Sequence, residues 1–283
     1  MKIVSSGRVL NSREFYEKKK RKKRIKLTLL FLGFISLLVL SIYFFRQERF
    51  LIVEVIISEE SVVDREEIIS RVKNLLTGYY LWFIPRANTF IYPRHVIEEN
   101  LLAEFPKFKS VELSVSNRAL SISVDERIPF ALYCLETYNP TATSLSAQAG
   151  KCFFLDEEGL IFTSAPSFSG DVYFVYTTQD LIKNPLGQRL ATIEDFRQLL
   201  KFIETLTTLN IHSVALEIMD GEYRLILING GEIIWRRDGN LSLVRSNLEA
   251  FLSNDSIKAQ VNFLDKILFL DLRIDNKVFY KFK

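Results

Sequence analysis

The longest apolar segment of the chain runs from Leu27 to Phe45, and it contains no charged residue. A helix rises about 1.5 Å per residue, so this segment covers roughly 28 Å, close to the hydrocarbon core of a bilayer. A core helix would show a polar face, which this segment lacks. A cleaved signal peptide has a shorter apolar region and small residues after it, whereas charged residues follow here from Arg46. The pattern therefore predicts a retained transmembrane helix over 27–45.

The charges on either side of this helix predict its orientation. Residues 1–26 hold 11 Lys and Arg against 2 Asp and Glu, a net charge of +9, whereas residues 27–283 hold 26 against 32, a net charge of −6. Cationic flanks stay in the cytoplasm, so we expect a cytoplasmic basic tail over 1–26 and an exported body after the helix. The mildly acidic body argues against nucleic-acid binding. The basic residues nearest the membrane, suited to anionic lipid, are Lys22, Lys23, Arg24 and Lys26.

The patterns in residues 48–127 predict a small α+β domain with the element order β-α-α-β-β. Helices that lie on one face of a small sheet define this class. The predicted elements are a strand over 50–57, a helix ending at Gly78, an aromatic connection over 79–91, a helix between Pro93 and Pro106, and a hairpin that turns at Asn117-Arg118.

Residues 128–283 predict a β-rich domain with two helices. An amphipathic helix is predicted over 192–209, with the inward positions Ile193, Phe196, Leu199, Leu200, Ile203 and Leu206. The other predicted elements are a strand over 130–134, a loop over 135–151, a hairpin around Asp156 to Gly159, a three-stranded meander over 214–235, a helix over 241–252, and strands over 268–274 and 277–283.

The two cysteines, Cys134 and Cys152, end one predicted strand and begin the next. Both belong to the exported body, where disulfides form. If these strands pair, the two side chains meet in a disulfide; the alternative is two independent buried thiols. Two cysteines and two distant histidines do not make a zinc site.

Four short motifs occur in order along the exported body. They are the segment 105–111, with Pro106 and Val111; Glu126-Arg127-Ile128-Pro129-Phe130-Ala131; the hairpin 152–162, with Asp156 and Gly159; and Leu270-Asp271-Leu272-Arg273. They resemble, in the same order, the "P-x-V-x-x-A-x-V", "ERxPxA", "Y-x-V-D-x-x-G-x-x-F" and "I-D-L-R-Y" stretches of the bacterial division proteins FtsQ and DivIB. The chain departs from that family at Ser58-Glu59-Glu60, where glycine is common after the first strand.

The resemblance to the FtsQ/DivIB family implies a fold, a location and partners. It implies a POTRA domain over 48–127, closed by the motif residues Glu126, Arg127 and Pro129, and a β domain over 128–283. It also implies a scaffold in the cytoplasmic membrane at the division septum, which binds the bitopic proteins FtsB and FtsL. The family receives its partner as an added strand after the last motif, which places the interface at Ile274, Lys277, Val278, Phe279, Tyr280, Lys281 and Phe282.

Alternation along this last strand predicts two different faces. Val278, Tyr280 and Phe282 share one face, and Lys277, Phe279 and Lys281 share the other. At least one aromatic side chain must then point away from the core, and aromatic residues are common anchors of binding energy. The alternative is that Phe279 only completes the core and that Lys281 blunts a sheet edge.

Candidate catalytic motifs are incomplete. Ser70 and Lys73 match S-x-x-K, but no S-D-N or K-T-G accompanies them, and both lie on the polar face of the first predicted helix. His95 and His212 are isolated, and the acidic run 156–158 is typical of a turn beside glycine. We therefore predict a non-enzymatic scaffold without a metal or cofactor. The alternatives are a POTRA-containing chaperone of secretion or envelope assembly and a membrane-anchored wall enzyme.

Overall fold

The computed structural model describes residues 12–58, 65–135, 152–166, 172–258 and 263–283, and these form a mixed α+β protein. Contact clustering separates two compact units. The first unit comprises residues 1–100 and 111–124, and the second comprises 101–110 and 125–283. The segment predicted as one domain over 48–127 thus contributes residues to both units.

Helix α1, Ser12–Phe45, continues from the basic tail through the apolar segment without interruption. Its part from Tyr16 to Phe45 is long and apolar enough to cross a membrane, and no other helix in the described parts of the chain meets that test. The basic flank residues, Lys22, Lys23, Arg24 and Lys26, are all exposed on this helix. The structure therefore contains a membrane-compatible helix where the apolar pattern predicts one.

The elements of residues 54–126 follow the predicted order, with an additional small hairpin. The three-stranded sheet has the order β1-β5-β4, in which β1 runs parallel to β5. Turn residues Asn117 and Arg118 have φ values of 49° and 68°, as a two-residue hairpin requires. The elements are β1 (Glu54–Ile57), α2 (Arg65–Leu76), β2 (Tyr79–Tyr80), β3 (Ile84–Pro85), α3 (Arg94–Glu104), β4 (Phe108–Ser116) and β5 (Ala119–Glu126).

The predicted strand over 50–57 is wrong in its first half, and the predicted aromatic connection over 79–91 contains the short β2–β3 hairpin, which was not predicted. Glu48–Phe50 forms a 3-10 turn, and the strand begins only at Glu54. The reason is a competing partner: the Ile52 N–H donates to the Ala87 carbonyl over 2.7 Å, and the Thr89 N–H donates to the Phe50 carbonyl over 2.8 Å. The base of the β2–β3 hairpin therefore takes the hydrogen bonds that a longer β1 would use.

The second unit is built on one sheet of nine described strands. Their order is β14-β13-β12-β11-β10-β9-β6-β7-β8. Strand β9 lies between β6 and β10 and is parallel to both. The elements are β6 (Ala131–Cys134), β7 (Cys152–Leu155), β8 (Ile161–Ser164), β9 (Val175–Thr178), α4 (Ile193–Thr208), β10 (Ser213–Ile218), β11 (Glu222–Leu227), β12 (Glu232–Arg236), α5 (Leu241–Ser253), α6 (Asp255–Lys258), β13 (Ile267–Asp271) and β14 (Phe279–Phe282).

Helices α4 and α5 cover one face of this sheet. Thr192 caps α4, because its hydroxyl accepts the Asp195 N–H. The main core contains Trp235, fully buried, with its ring centroid 5.1 Å from that of Phe202 on α4. Phe202 is buried although it was not among the predicted inward positions, whereas Ile193, predicted to point inward, is 38% exposed at the first turn. Each such large apolar side chain contributes about 1.5–3 kcal/mol on burial.

Candidate partner-binding surface

Strand β14 forms one edge of the nine-stranded sheet. Its inner side pairs antiparallel with β13, and its outer side has no neighbouring strand in the part of the chain that the structure describes. The strand is shorter than the predicted 277–283. Ile274 and Lys277 lie in the preceding turn, where the Lys277 N–H donates to the Ile274 carbonyl over 3.2 Å and Asn276 has a φ of 58°. An open edge of this kind offers backbone N–H and C=O groups to another chain.

The two faces of β14 have different environments. The Tyr280 ring lies 5.0 Å from Phe251 on α5 and 5.4 Å from Phe282, so these residues face the helix-covered core. Val278 and Phe282 also pack against that core. Phe279 lies on the opposite face and is 49% exposed. Tyr280 itself is 48% exposed, so the edge strand carries an exposed aromatic ring on each face, with Val278 and Phe282 packed against the core on the helix side.

A row of side chains runs from Phe279 across the open face of five adjacent strands. Successive pairs in register are Phe279 with Asp271, Asp271 with Ile234, Ile234 with Arg224, and Arg224 with Glu217. Their neighbours along each strand, such as Leu270, belong to the helix-covered core, so the row points away from the helices. We call these five residues the open-face row.

Charged side chains connect the middle of this row. Arg273, just after β13, donates from Nε to Asp271 over 2.9 Å and from a terminal nitrogen to Glu222 over 2.8 Å. Arg224 lies 3.5 Å from both Glu222 and Glu232. The hydrogen bonds from Arg273 lower the pKa of the Asp271 carboxyl. The row therefore carries fixed, alternating charges directly beside the exposed aromatic ring.

Glu217 at the inner end of the row is buried, only 6% exposed. Loss of hydration raises the pKa of its carboxyl, although Arg224 opposes this change. The row therefore becomes less accessible to water from the edge strand towards β10. The available surface for a partner lies at the β14 end.

The motif residue Arg127 performs a structural task. One terminal nitrogen of the Arg127 guanidinium lies 2.5 Å from the Asp156 carboxylate, and the Arg127 Nε donates to the Pro106 carbonyl over 3.1 Å. The backbone N–H of Arg127 donates to the Lys107 carbonyl over 2.8 Å. Asp156 also accepts the N–H groups of Glu158 and Leu160, each over 2.9 Å. Arg127 therefore ties the motif to two other segments of the second unit, whereas Glu126 is exposed and Pro129 is half-buried.

The predicted disulfide between Cys134 and Cys152 is present. These residues are paired in register on β6 and β7, and their Cα atoms are 4.1 Å apart. Both are buried in a second apolar cluster with Ala215 and Ile226, on the face opposite the helices. The loop predicted over 135–151 lies outside the described residues after 135.

The other residues considered for chemistry are not brought together. Ser70 and Lys73 are exposed on α2, His95 is exposed on α3, and His212 is exposed before β10. Asp156, as described, serves the Arg127 contact. The charged contacts of the open-face row were not predicted. The residues that make them, at positions 222, 224, 271 and 273, alternate between acidic and basic in the sequence.

The described residues therefore form a mixed α+β protein with a membrane-compatible helix and, among their strands, an open sheet edge at β14. Comparison with protein-family models and with curated protein sequences finds no match for the chain.

Proposed function

We propose that the chain is a non-enzymatic, single-pass scaffold of the bacterial division machinery. In this proposal α1 stays in the cytoplasmic membrane with the basic tail inside, and the body outside binds FtsB- and FtsL-like bitopic proteins at the septum. The observation that carries the proposal is the edge strand β14. It lies next to the "DLR" motif, where the FtsQ/DivIB family receives a partner strand, and it combines an open backbone edge with an exposed Phe279.

The open-face row supports the same site. A partner strand added to β14 would extend the sheet and bring its own side chains level with Phe279 and Asp271. The phenyl ring would supply the apolar anchor, and the Asp271–Arg273–Glu222 charges would supply a polar rim. An apolar anchor with a polar rim is typical of specific interfaces, in which a few aromatic residues contribute most of the binding energy.

The element order of residues 54–126 also supports the proposal that the chain belongs to the FtsQ/DivIB family. The order β1-α2-α3-β4-β5, with a β1-β5-β4 sheet, is the arrangement expected of a POTRA domain. We propose that this segment contacts other division proteins, while the sheet edge receives the FtsB-like partner.

The proposal predicts that altering the edge strand removes partner binding from a folded chain. The Lys283 N–H donates to the Lys266 carbonyl over 2.8 Å, so by alternation the Lys281 N–H also points to β13, whereas the Tyr280 N–H points outward. Tyr280→Pro removes this outward backbone N–H and blocks strand addition, and Phe279→Glu replaces the apolar anchor with a charge. We expect each variant to bind the FtsB-like partner at least roughly tenfold more weakly, because anchor residues contribute about 2 kcal/mol or more. The measurement is co-purification of the full chain with the partner from co-expressing membranes.

A matched control is Leu181→Glu, the same polarity change at a 56% exposed side chain of the second unit. It should leave binding unchanged. Thermal unfolding of each variant checks that the second unit remains folded. Wild-type binding by a folded Tyr280→Pro variant and by Phe279→Glu would show that β14 is not the docking edge.

A further inference from the structure

The turn between β2 and β3 exposes three large apolar side chains in succession. Leu81, Trp82 and Phe83 are 85%, 91% and 55% exposed. These three residues form the loop of the hairpin, since Tyr80 pairs with Ile84, and within it the Phe83 N–H donates to the Tyr80 carbonyl over 3.1 Å. We call residues 81–83 the apolar tip. Contiguous exposed apolar surface of this kind marks an interaction site more often than isolated exposed residues do.

The backbone of the tip does not explain its sequence. Leu81 and Trp82, the two central residues of the turn from Tyr80 to Phe83, have φ values of 46° and 70°, in the left-handed region that L residues rarely adopt. Asn-Gly is the favoured pair there, because large side chains are crowded in that region. Leu and Trp therefore occupy the turn against local backbone preference, which indicates a role for their side chains outside the fold.

The hairpin base is tied to the end of the apolar helix α1. Asn88 is fully buried; its Nδ2 donates to the Phe45 carbonyl over 2.9 Å, and its Oδ1 accepts the Phe90 N–H over 3.0 Å. The Phe50 ring lies 4.6 Å from that of Phe44 and 5.4 Å from that of Phe90. These contacts fix the segment after the hairpin against the last turn of the helix.

The hairpin also runs back beside the helix. Strand β3 lies against α1. Between residues 16 and 45, the partly covered positions are Ser41, Ile42 and Phe45, whereas the remaining positions are exposed. These three share one helix face and span one turn, about 5.4 Å along the axis. The hairpin therefore contacts α1 inside the segment 27–45, the part that is long enough to span the bilayer, and not only beyond its end at Phe45.

Cationic side chains accompany the aromatic rings at this level. The Arg49 guanidinium lies 4.8 Å from the Phe50 ring centroid, and that of Arg86 lies 5.6 Å from the Tyr80 ring centroid. Arginine beside tyrosine and tryptophan is the composition found where membrane proteins cross the headgroup region, because the apolar parts enter and the charges remain with the headgroups.

We propose that the apolar tip inserts into the interfacial region of the bilayer beside α1, as a second membrane contact of the exported body. The ligand is the lipid surface itself. The inference rests on the proposed membrane anchoring by α1 and does not depend on the division partner. Insertion would fix the orientation of the first unit against the membrane.

The test uses the full chain in vesicles of phosphatidylethanolamine and phosphatidylglycerol. The chain has two tryptophans, and Trp235 is fully buried, so Trp82 is the residue that responds to its surroundings. We expect lipids with brominated acyl chains to quench most of the Trp82 emission, and aqueous iodide to leave it unchanged. A Trp82→Phe chain supplies the Trp235 background. Flotation of each sample with the vesicles checks anchoring separately.

The variant Leu81→Asp/Phe83→Asp keeps Trp82 as the fluorescent reporter and places a negative charge on each side of it. Aspartate tolerates the left-handed turn, so the hairpin is retained. We expect this variant to float normally, to lose most of the bromine quenching and to gain iodide quenching, whereas Leu181→Asp should behave as wild type. Iodide-accessible Trp82 in the anchored wild-type chain would overturn the proposal. So would shielding from iodide without bromine quenching, which would indicate self-association instead.

Discussion

Arg127 shows how one side chain holds a motif in place. Its side chain and that of Asp156 are only 12% and 6% exposed, and they form a buried ion pair supported by backbone hydrogen bonds. Removing one partner of a buried pair leaves the other charge without compensation, at a cost of about 3–5 kcal/mol. The role of this contact is structural, because it joins separate segments of the second unit.

We therefore predict that Arg127→Ala lowers the free energy of unfolding of the second unit by about 3–5 kcal/mol. Urea unfolding of the full chain in detergent, in a Trp82→Phe background so that Trp235 is the reporter, measures this change. The control is Lys109→Ala, which removes a nearby but exposed ion pair to Glu157 at 3.3 Å and should change stability by less than about 1 kcal/mol. Equal effects of the two variants would refute the structural assignment.

Asp271 gives the site a defined pH dependence. Its pKa is lowered by hydrogen bonds from Arg273, so its stabilising contribution is fully present above the ordinary aspartate value of about 3.9 and is lost as the pH falls through the lowered pKa. Arg273 is 43% exposed, which limits this contribution to about 1 kcal/mol or less.

The prediction compares wild type with Asp271→Asn in urea unfolding across the acid range. The wild type should be more stable at neutral pH, and the difference should disappear in acid as Asp271 becomes protonated. A difference that persists or grows at low pH would contradict the assigned role of the Asp271–Arg273 pair.

At the scale of elements, the disulfide joins the neighbouring strands β6 and β7 across the connection between them. The two cysteines are 18 residues apart, and closing a loop of that size restricts the unfolded chain by about 3 kcal/mol in the chain-entropy model. We predict that Cys134→Ala/Cys152→Ala lowers the free energy of unfolding by about that amount. Unchanged urea stability, or two free thiols by mass spectrometry of unreduced peptides, would contradict this prediction.

Turn residues determined which hairpins could be predicted. Asn117-Arg118 and Asp275-Asn276 stand between alternating segments, and asparagine tolerates the left-handed backbone that those turns use. Leu81-Trp82 forms a turn of similar backbone conformation, yet neither residue favours turns. The β2–β3 hairpin was therefore missed, because its turn sequence does not follow from local backbone preference.

The order of the strands in the sheet was harder to predict from the sequence than the type of each element. Local alternation indicates that a segment is a strand, but it does not specify the neighbouring strand. The short apolar strand β9 was not predicted, and it lies between β6 and β10, which are distant in sequence. The edge position of β14 was inferred from family resemblance and chain order, whereas the open-face row required the register of five strands.

At the scale of the whole molecule, the proposal combines a membrane-compatible helix with a sheet whose edge is open in the part of the chain that the structure describes. The helix has the length and the one-sided basic flank of an anchor, and the sheet edge carries an exposed aromatic ring beside fixed charges. Under the proposed function, both features serve a protein that assembles others at a membrane.

The most direct test of this account places a photo-cross-linking amino acid at Phe279 of the full chain in dividing bacterial cells. The account predicts cross-links to FtsB- or FtsL-like bitopic proteins, with none from the same reagent at Leu181. Cross-links from position 279 to secretion or envelope-assembly components would support the chaperone alternative and contradict the account. So would the absence of any cross-link from an intact, membrane-inserted chain.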